Sequence, residues 1–261
     1  MNKLRLGILG NGYLGGIIAK AWRDGLLPEY ELVGIAGRTR EKTDALAAEN
    51  GCRSCAGVDE LLELKPDYIA EAASVEAVRD WAEKILSNGS NFIVLSIGAF
   101  ADRVFYERVK ETAAEHRTRV YIASGAVGGF DVLRTLSLMG ETVSGIETRK
   151  GPGSLRGTSL FEERLMMDEE SAKVFEGNAK EAIDLLPTRV NVAVAASLAT
   201  TGPERTGVDI YSVPGMVGDD HKITAETDGV KAVVDIYSST SAIAGWSVVA
   251  VLQNIVSPVV F

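Results

Sequence analysis

Near the amino end, Gly10-Asn11-Gly12-Tyr13-Leu14-Gly15 follows the apolar run Leu4 to Leu9 with no spacer. It leads straight into Tyr13 to Asp24, where Ile17, Ile18, Ala21 and Trp22 share one helical face and Gly25 supplies a stop. A strand that ends in glycines and turns at once into a helix constrains this chain more than any other feature. It predicts a βα unit whose backbone turns tightly at Gly10, lies bare at Gly12 and lets helix and strand touch at Gly15. The helix start then offers free N–H groups to a phosphate. The turn therefore predicts dinucleotide binding by Gly10, Asn11, Gly12, Tyr13, Leu14 and Gly15.

The surroundings agree with that prediction. Apolar runs at Glu31 to Ala36, Cys52 to Cys55, Asp67 to Ala72, Asn91 to Ser96 and Arg119 to Ala123 alternate with helical periods. The expected fold class is α/β, a doubly wound (Rossmann) parallel sheet over residues 1–123. Beyond Ser124 glycines cluster, and strands are expected at 145–149, 191–196, 208–213, 222–227 and 231–237, with a helix at Asn178 to Leu185. Residues 124–237 thus read as an α+β substrate, catalytic and oligomerisation domain with a largely antiparallel sheet. A closing helix within 238–261 is expected to pack back on the first domain. A homodimer through the second sheet is the expected assembly, since such a sheet needs a face covered.

Charge and composition exclude several classes. Lys plus Arg number 27 against 36 Asp plus Glu, a net charge of −9, so the surface repels phosphate backbones and no nucleic-acid partner is expected. No signal peptide is read at the start, and Gln253, Asn254 and Pro258 turn the apolar Ser241 to Phe261 stretch into a buried helix and tail rather than a membrane span. The pair Cys52 and Cys55 lacks further zinc ligands and a redox context, and no metal site is expected. Two cysteines in such a chain fit a reducing cytoplasm.

Cofactor choice is read after the second strand, where an Asp or Glu would hold the ribose 2′-hydroxyl of NAD. Gly37-Arg38-Thr39-Arg40 stands there instead. A guanidinium at Arg38 and a hydroxyl at Thr39 suit a 2′-phosphate, so NADP is favoured over NAD, with dual use or a simple stacking role for Arg38 left open. Hydride chemistry on an amino or keto acid also needs a cation for carboxylate and an acid/base near neutrality. Of the two histidines, His116 ends a polar helix, where a solvated cation suffices. His221 sits at a loop-to-strand junction, in Gly218-Asp219-Asp220-His221. Lys150 is the candidate substrate cation, with a solvated strand end as its alternative.

Four stretches together resemble the L-aspartate dehydrogenase family. They are Glu71-Ala72-Ala73-Ser74 with Ala99-Phe100-Ala101-Asp102; Ser124 through Asp131; Phe175-Glu176-Gly177 with Pro187 and Val190-Asn191-Val192-Ala193; and His221 with its following strand. The resemblance implies His221 as acid/base and Ala73, Ala126 and Asn191 as cofactor contacts. It also implies oxidation of L-aspartate to iminoaspartate or the reverse, with activity rising through a histidine pKa near ~6.5. Two departures bear on the substrate. Tyr237-Ser238-Ser239-Thr240-Ser241 replaces the family's Asn-Pro-Lys-Thr-Ser string, and Val213-Pro214 stands where Asp-Pro is usual. A different amino or dicarboxylic acid, or a non-catalytic dinucleotide sensor switched by Cys52 and Cys55, are the alternatives.

Overall fold

The structure, a computed structural model, describes residues 3–186 and 191–261. Pro187 and Val190 of the third resembling stretch lie outside the described residues. The chain divides into two compact units, one running through Gly125 and resuming at Ala242–Phe261, the other Ala126–Ser241.

The first unit alternates strand and helix: β1 Leu4–Leu9, α1 Tyr13–Arg23, β2 Tyr30–Ala36, α2 Arg40–Glu49, β3 Arg53–Cys55, α3 Val58–Glu63, β4 Tyr68–Glu71, α4 Val75–Ser87, β5 Asn91–Val94, α5 Arg103–His116 and β6 Val120–Ile122. All strand pairs are parallel, in the order β3-β2-β1-β4-β5-β6. The direction of winding reverses between β1 and β4, so the loops after these two strands diverge and open a crevice at their carboxyl ends. Side chains explain the starts of α4 and α5. Ser74 Oγ accepts from Ala77 N at 3.1 Å, and Asp102 Oδ1 accepts from Val104 N and Phe105 N at 2.9 and 3.1 Å.

The core of this unit joins Leu6, Ile8, Ile18, Tyr30, Ile35, Ala70 and Ile93 to Val248, Val249 and Leu252. The last three belong to the closing helix, Ala242–Val256. Buried Tyr30 donates its hydroxyl to Leu252 O at 2.8 Å, and a Cβ on Gly245 would stand 3.1 Å from Ile17. Close packing on α1 accounts for the apolar character of this segment. No helix among the described residues is long and apolar enough to cross a membrane.

The second unit contains α6 Phe130–Met139, β7 Val143–Lys150, β8 Ala172–Asn178, α7 Ala179–Leu185, α8 Asn191–Ala199, β9 Gly207–Ser212, β10 Asp219–Thr227 and β11 Val230–Ser238; the closing helix is α9. Its sheet has the order β11-β10-β7-β9-β8. Three pairings are antiparallel and β7–β9 is parallel. Residues alternate between a covered face, packed by α6 and α8, and an open one.

Two expectations fail here. Asn191 to Ala196 is the start of α8 rather than a strand, and Ala172–Asn178, not expected as a strand, forms β8. Buried Ala193, Val194, Ala195, Ala196 and Ser197 explain the first, because a helix apolar all round belongs inside a core.

Candidate active site

In the first unit, geometry gives each glycine of the turn a distinct task. Gly10 has φ +129°, and a Cβ there would lie 2.4 Å from Ala72 O. A Cβ on Gly15 would lie 2.0 Å from Gly10 O, so α1 and the turn touch through backbone alone. At Gly12, by contrast, a Cβ would meet nothing within 4 Å. Gly12 precedes α1 as its cap residue, and no side chain caps the helix's first N–H groups. A bare backbone beside uncapped donors is the arrangement that fits a pyrophosphate. Tyr13 is exposed and Leu14 half-buried at the helix start.

Asn11 ties this turn to the next one. Its Nδ2 donates to Thr39 O and to Thr43 Oγ1, both at 2.7 Å. A Cβ on Gly37 would stand 2.3 Å from Asn11 Cγ, so that glycine is needed for the amide to reach across. Thr39 precedes α2 without spending its hydroxyl on a cap, and both it and Arg38 are exposed. Asn11 thus fastens the backbone at Thr39, next to Arg38, beside the glycine turn.

The sequence reading missed the role of Glu71, which ends β4. Its carboxylate is fully buried and accepts from Ala73 N (2.7 Å), Leu95 N (3.1 Å), Ser96 N (2.9 Å) and Ser96 Oγ (2.7 Å). Burial pushes its pKa up, and these four hydrogen bonds pull against that. One acid therefore fastens the loops after β4 and β5 at the mouth of the crevice. A lone charge closing an apolar strand was the available signal. Ala73 already gives its N–H to Glu71, which leaves its carbonyl and methyl for any ligand.

The second unit gathers a separate cluster. His221, 3% exposed, lies on the covered face of β10, directly opposite Thr148 of β7. Thr148 Oγ1 is 3.0 Å from His221 Nδ1. Two residues along the same faces, Lys150 opposes Asp219, and Lys150 Nζ stands 3.7 Å from Asp219 Oδ1. Lys150 is 5% exposed, so the solvated strand end considered for it does not occur. Burial, with a smaller contribution from Lys150, pushes the His221 pKa down to about 4, against the opposing pull of Asp219. Burial thus favours the neutral imidazole, with a pKa below the ordinary value of ~6.5 expected from the sequence.

Folding stability should record the same burial. Because the folded pKa lies below the unfolded value of 6.5, an acidified unfolded chain binds the proton first. This contribution is complete above that value and is lost as pH falls toward about 4. The loss amounts to about 3 kcal/mol in total. Urea midpoints measured across this window should show that slope, and His221→Gln should remove it.

Asn191 stands at the first turn of α8, half-buried, and Ala126 is a half-buried loop residue between Gly125 (φ +66°) and Gly129 (φ +71°). A Cβ on Gly129 would reach Val234 at 2.6 Å, so this glycine is required where α6 meets the sheet. The two cysteines are free; Cys55 is buried, and burial raises both thiols, Cys52 to about 11. Thiols so reluctant to ionise make poor redox sensors. No group of three or more His, Cys, Asp or Glu among the described residues could hold a metal ion.

Comparison with known proteins agrees with both units. Residues 6–123 match the profile "Homoserine dehydrogenase, NAD binding domain" and residues 131–255 the profile "Aspartate dehydrogenase, C-terminal". L-aspartate dehydrogenase of Methanococcus maripaludis strain C5 is 34% identical over 265 residues, covering 98% of each chain. That of Methanosarcina mazei is 33% identical over 267 residues with the same coverage. The crystal structure of aspartate dehydrogenase from Thermotoga maritima superposes with a TM-score of 0.78 at 27% identity, covering 99% of each chain. On this similarity along its whole length, the chain belongs to the L-aspartate dehydrogenase family.

Proposed function

We propose that the protein is an NAD(P)-dependent L-aspartate dehydrogenase in which His221 is the acid/base. The observation that carries this reading is a buried imidazole, hydrogen-bonded to Thr148 and near a buried lysine, in a chain that also has an uncapped glycine turn. When bound, the nicotinamide supplies the acceptor for the hydride leaving the aspartate Cα. The bare backbone at Gly12 and the N–H groups of α1 would hold the pyrophosphate, and Ala73, Ala126 and Asn191 would be the further cofactor contacts. Lys150 holds a substrate carboxylate. His221 takes a proton from the substrate nitrogen as the C=N bond forms and passes it to solvent; it then takes one from the water that adds to the imine and returns it to the nitrogen that leaves as ammonia. In the reductive direction the imidazole returns the proton to the substrate nitrogen. Lys150→Ala should raise KM for aspartate about tenfold or more, with kcat less affected.

Arg38 and Thr39 make NADP the favoured cofactor. Arg38→Ala should raise KM for NADP about tenfold and leave that for NAD within about twofold, as expected for loss of one charge-assisted contact. Equal effects on both cofactors would assign Arg38 to the adenine instead.

The working unit is proposed to be a cytoplasmic homodimer. The open face of the second sheet exposes Val143, Val233 and Tyr237 alongside Arg149 and Lys222, a mixed surface suited to self-pairing. Light scattering that gives the mass of one chain would contradict it. The substrate itself is tested by offering a panel of amino and dicarboxylic acids with each cofactor. Aspartate should give the highest kcat/KM, and no aspartate turnover would overturn the assignment.

A further inference from the structure

A buried imidazole can act as a base only at a nitrogen that is bare, and the hydrogen bond made by the other nitrogen decides which one that is. For His221 that bond is made by Thr148. Thr148 is 4% exposed, directly opposite His221 in the β7–β10 register. Its β-branched side chain has little rotational freedom in a strand, so the hydroxyl is held at the ring edge. The neighbouring Lys150 is a donor only, and the neighbouring Asp219 pairs with Lys150. A hydroxyl can accept from Nδ1–H both before and after the ring takes up a second proton, so nothing in the β7–β10 pair has to rearrange during turnover.

From this geometry we infer that Thr148 is a positioning residue: its hydroxyl accepts from His221 Nδ1–H and thereby presents Nε2 as the basic nitrogen. The inference deepens the reading of His221 as acid/base and rests on it for its consequence in catalysis, but the hydrogen bond can be tested separately. With only two histidines in the chain, imidazole nitrogen NMR is tractable. His116 is exposed at the end of α5, so His116→Gln removes its signals and leaves those of His221.

At neutral pH the spectrum should show Nδ1 carrying the proton and Nε2 bare. Thr148→Val should shift the proton toward Nε2 and lower kcat about 10- to 100-fold, with KM for the cofactor unchanged. Thr148→Ser, which keeps the hydroxyl, should restore both the spectrum and kcat to near wild type. A wild-type ring protonated on Nε2 would overturn the inference, as would a folded Thr148→Val enzyme with undiminished kcat. The wild-type spectrum decides the hydrogen bond even if Thr148→Val does not fold. Absence of aspartate turnover in the wild type would overturn the proposed function instead, so the two failures are distinguishable.

Discussion

His221→Ala is expected to lower kcat for aspartate oxidation about a hundred- to ten-thousand-fold, the range associated with loss of a positioned acid/base. Cofactor affinity should stay within about twofold of wild type, since in the proposed role the imidazole acts on substrate protons and holds no phosphate. The separation of these two readouts is the informative part. A variant that had merely lost structure would lose both together. The substitution also removes a buried side chain and leaves the Thr148 hydroxyl without its partner, so a lower thermal midpoint is expected. Cofactor titration of the folded variant controls for that. Near-normal rates in His221→Ala would sink the assignment.

The second large effect contrasts two glycines three residues apart. Gly15→Ala places a methyl 2.0 Å from a backbone oxygen, so either α1 or the turn must move. Its expected result is loss of thermal stability together with cofactor binding. Gly12→Val meets no protein atom at its Cβ, and φ −88°, ψ −167° is a backbone conformation open to any residue. This variant should therefore fold with a near wild-type thermal midpoint. Cofactor affinity should nonetheless fall about a hundredfold, equivalent to about 2.7 kcal/mol, because the branched side chain fills the space where a pyrophosphate approaches. Normal binding by Gly12→Val would show that no phosphate lies against that residue.

The first unit was legible because its information is local. Each apolar run is bounded by a glycine, a cap residue or a helical period, and a parallel sheet buried on both faces makes such runs continuous. The second unit was harder to read for two opposite reasons. In Asn191–Ala199, valines alternate with alanines and imitate a strand, but small side chains allow a buried helix to be packed closely on several sides. In Ala172–Asn178, charges interrupt the apolar pattern because β8 is an edge strand, and Lys173 pairs with Glu176 and Asp209 on its exposed face.

The candidate site divides along the same line. The shape of the glycine turn could be read directly, since it lies in a contiguous stretch of backbone. His221 and Lys150 could be named, but not their setting. Their environment depends on the antiparallel register of β7 and β10, which joins residues 73 positions apart. That register turns Lys150 from a solvated strand end into a buried cation and moves the histidine pKa down. Glu71 was visible as a residue and silent as to purpose, because three of its four hydrogen bonds come from the next strand's loop.

The hydrogen on the aspartate Cα is expected to leave as hydride to a dinucleotide held by this chain. Turnover of Cα-deuterated L-aspartate, followed by mass analysis of the reduced cofactor, tests it most directly. Deuterium in the reduced cofactor, at one atom per turnover, is the predicted result. Reduced cofactor without deuterium, or no reduced cofactor at all with either NAD or NADP, would rule out hydride transfer from the aspartate Cα.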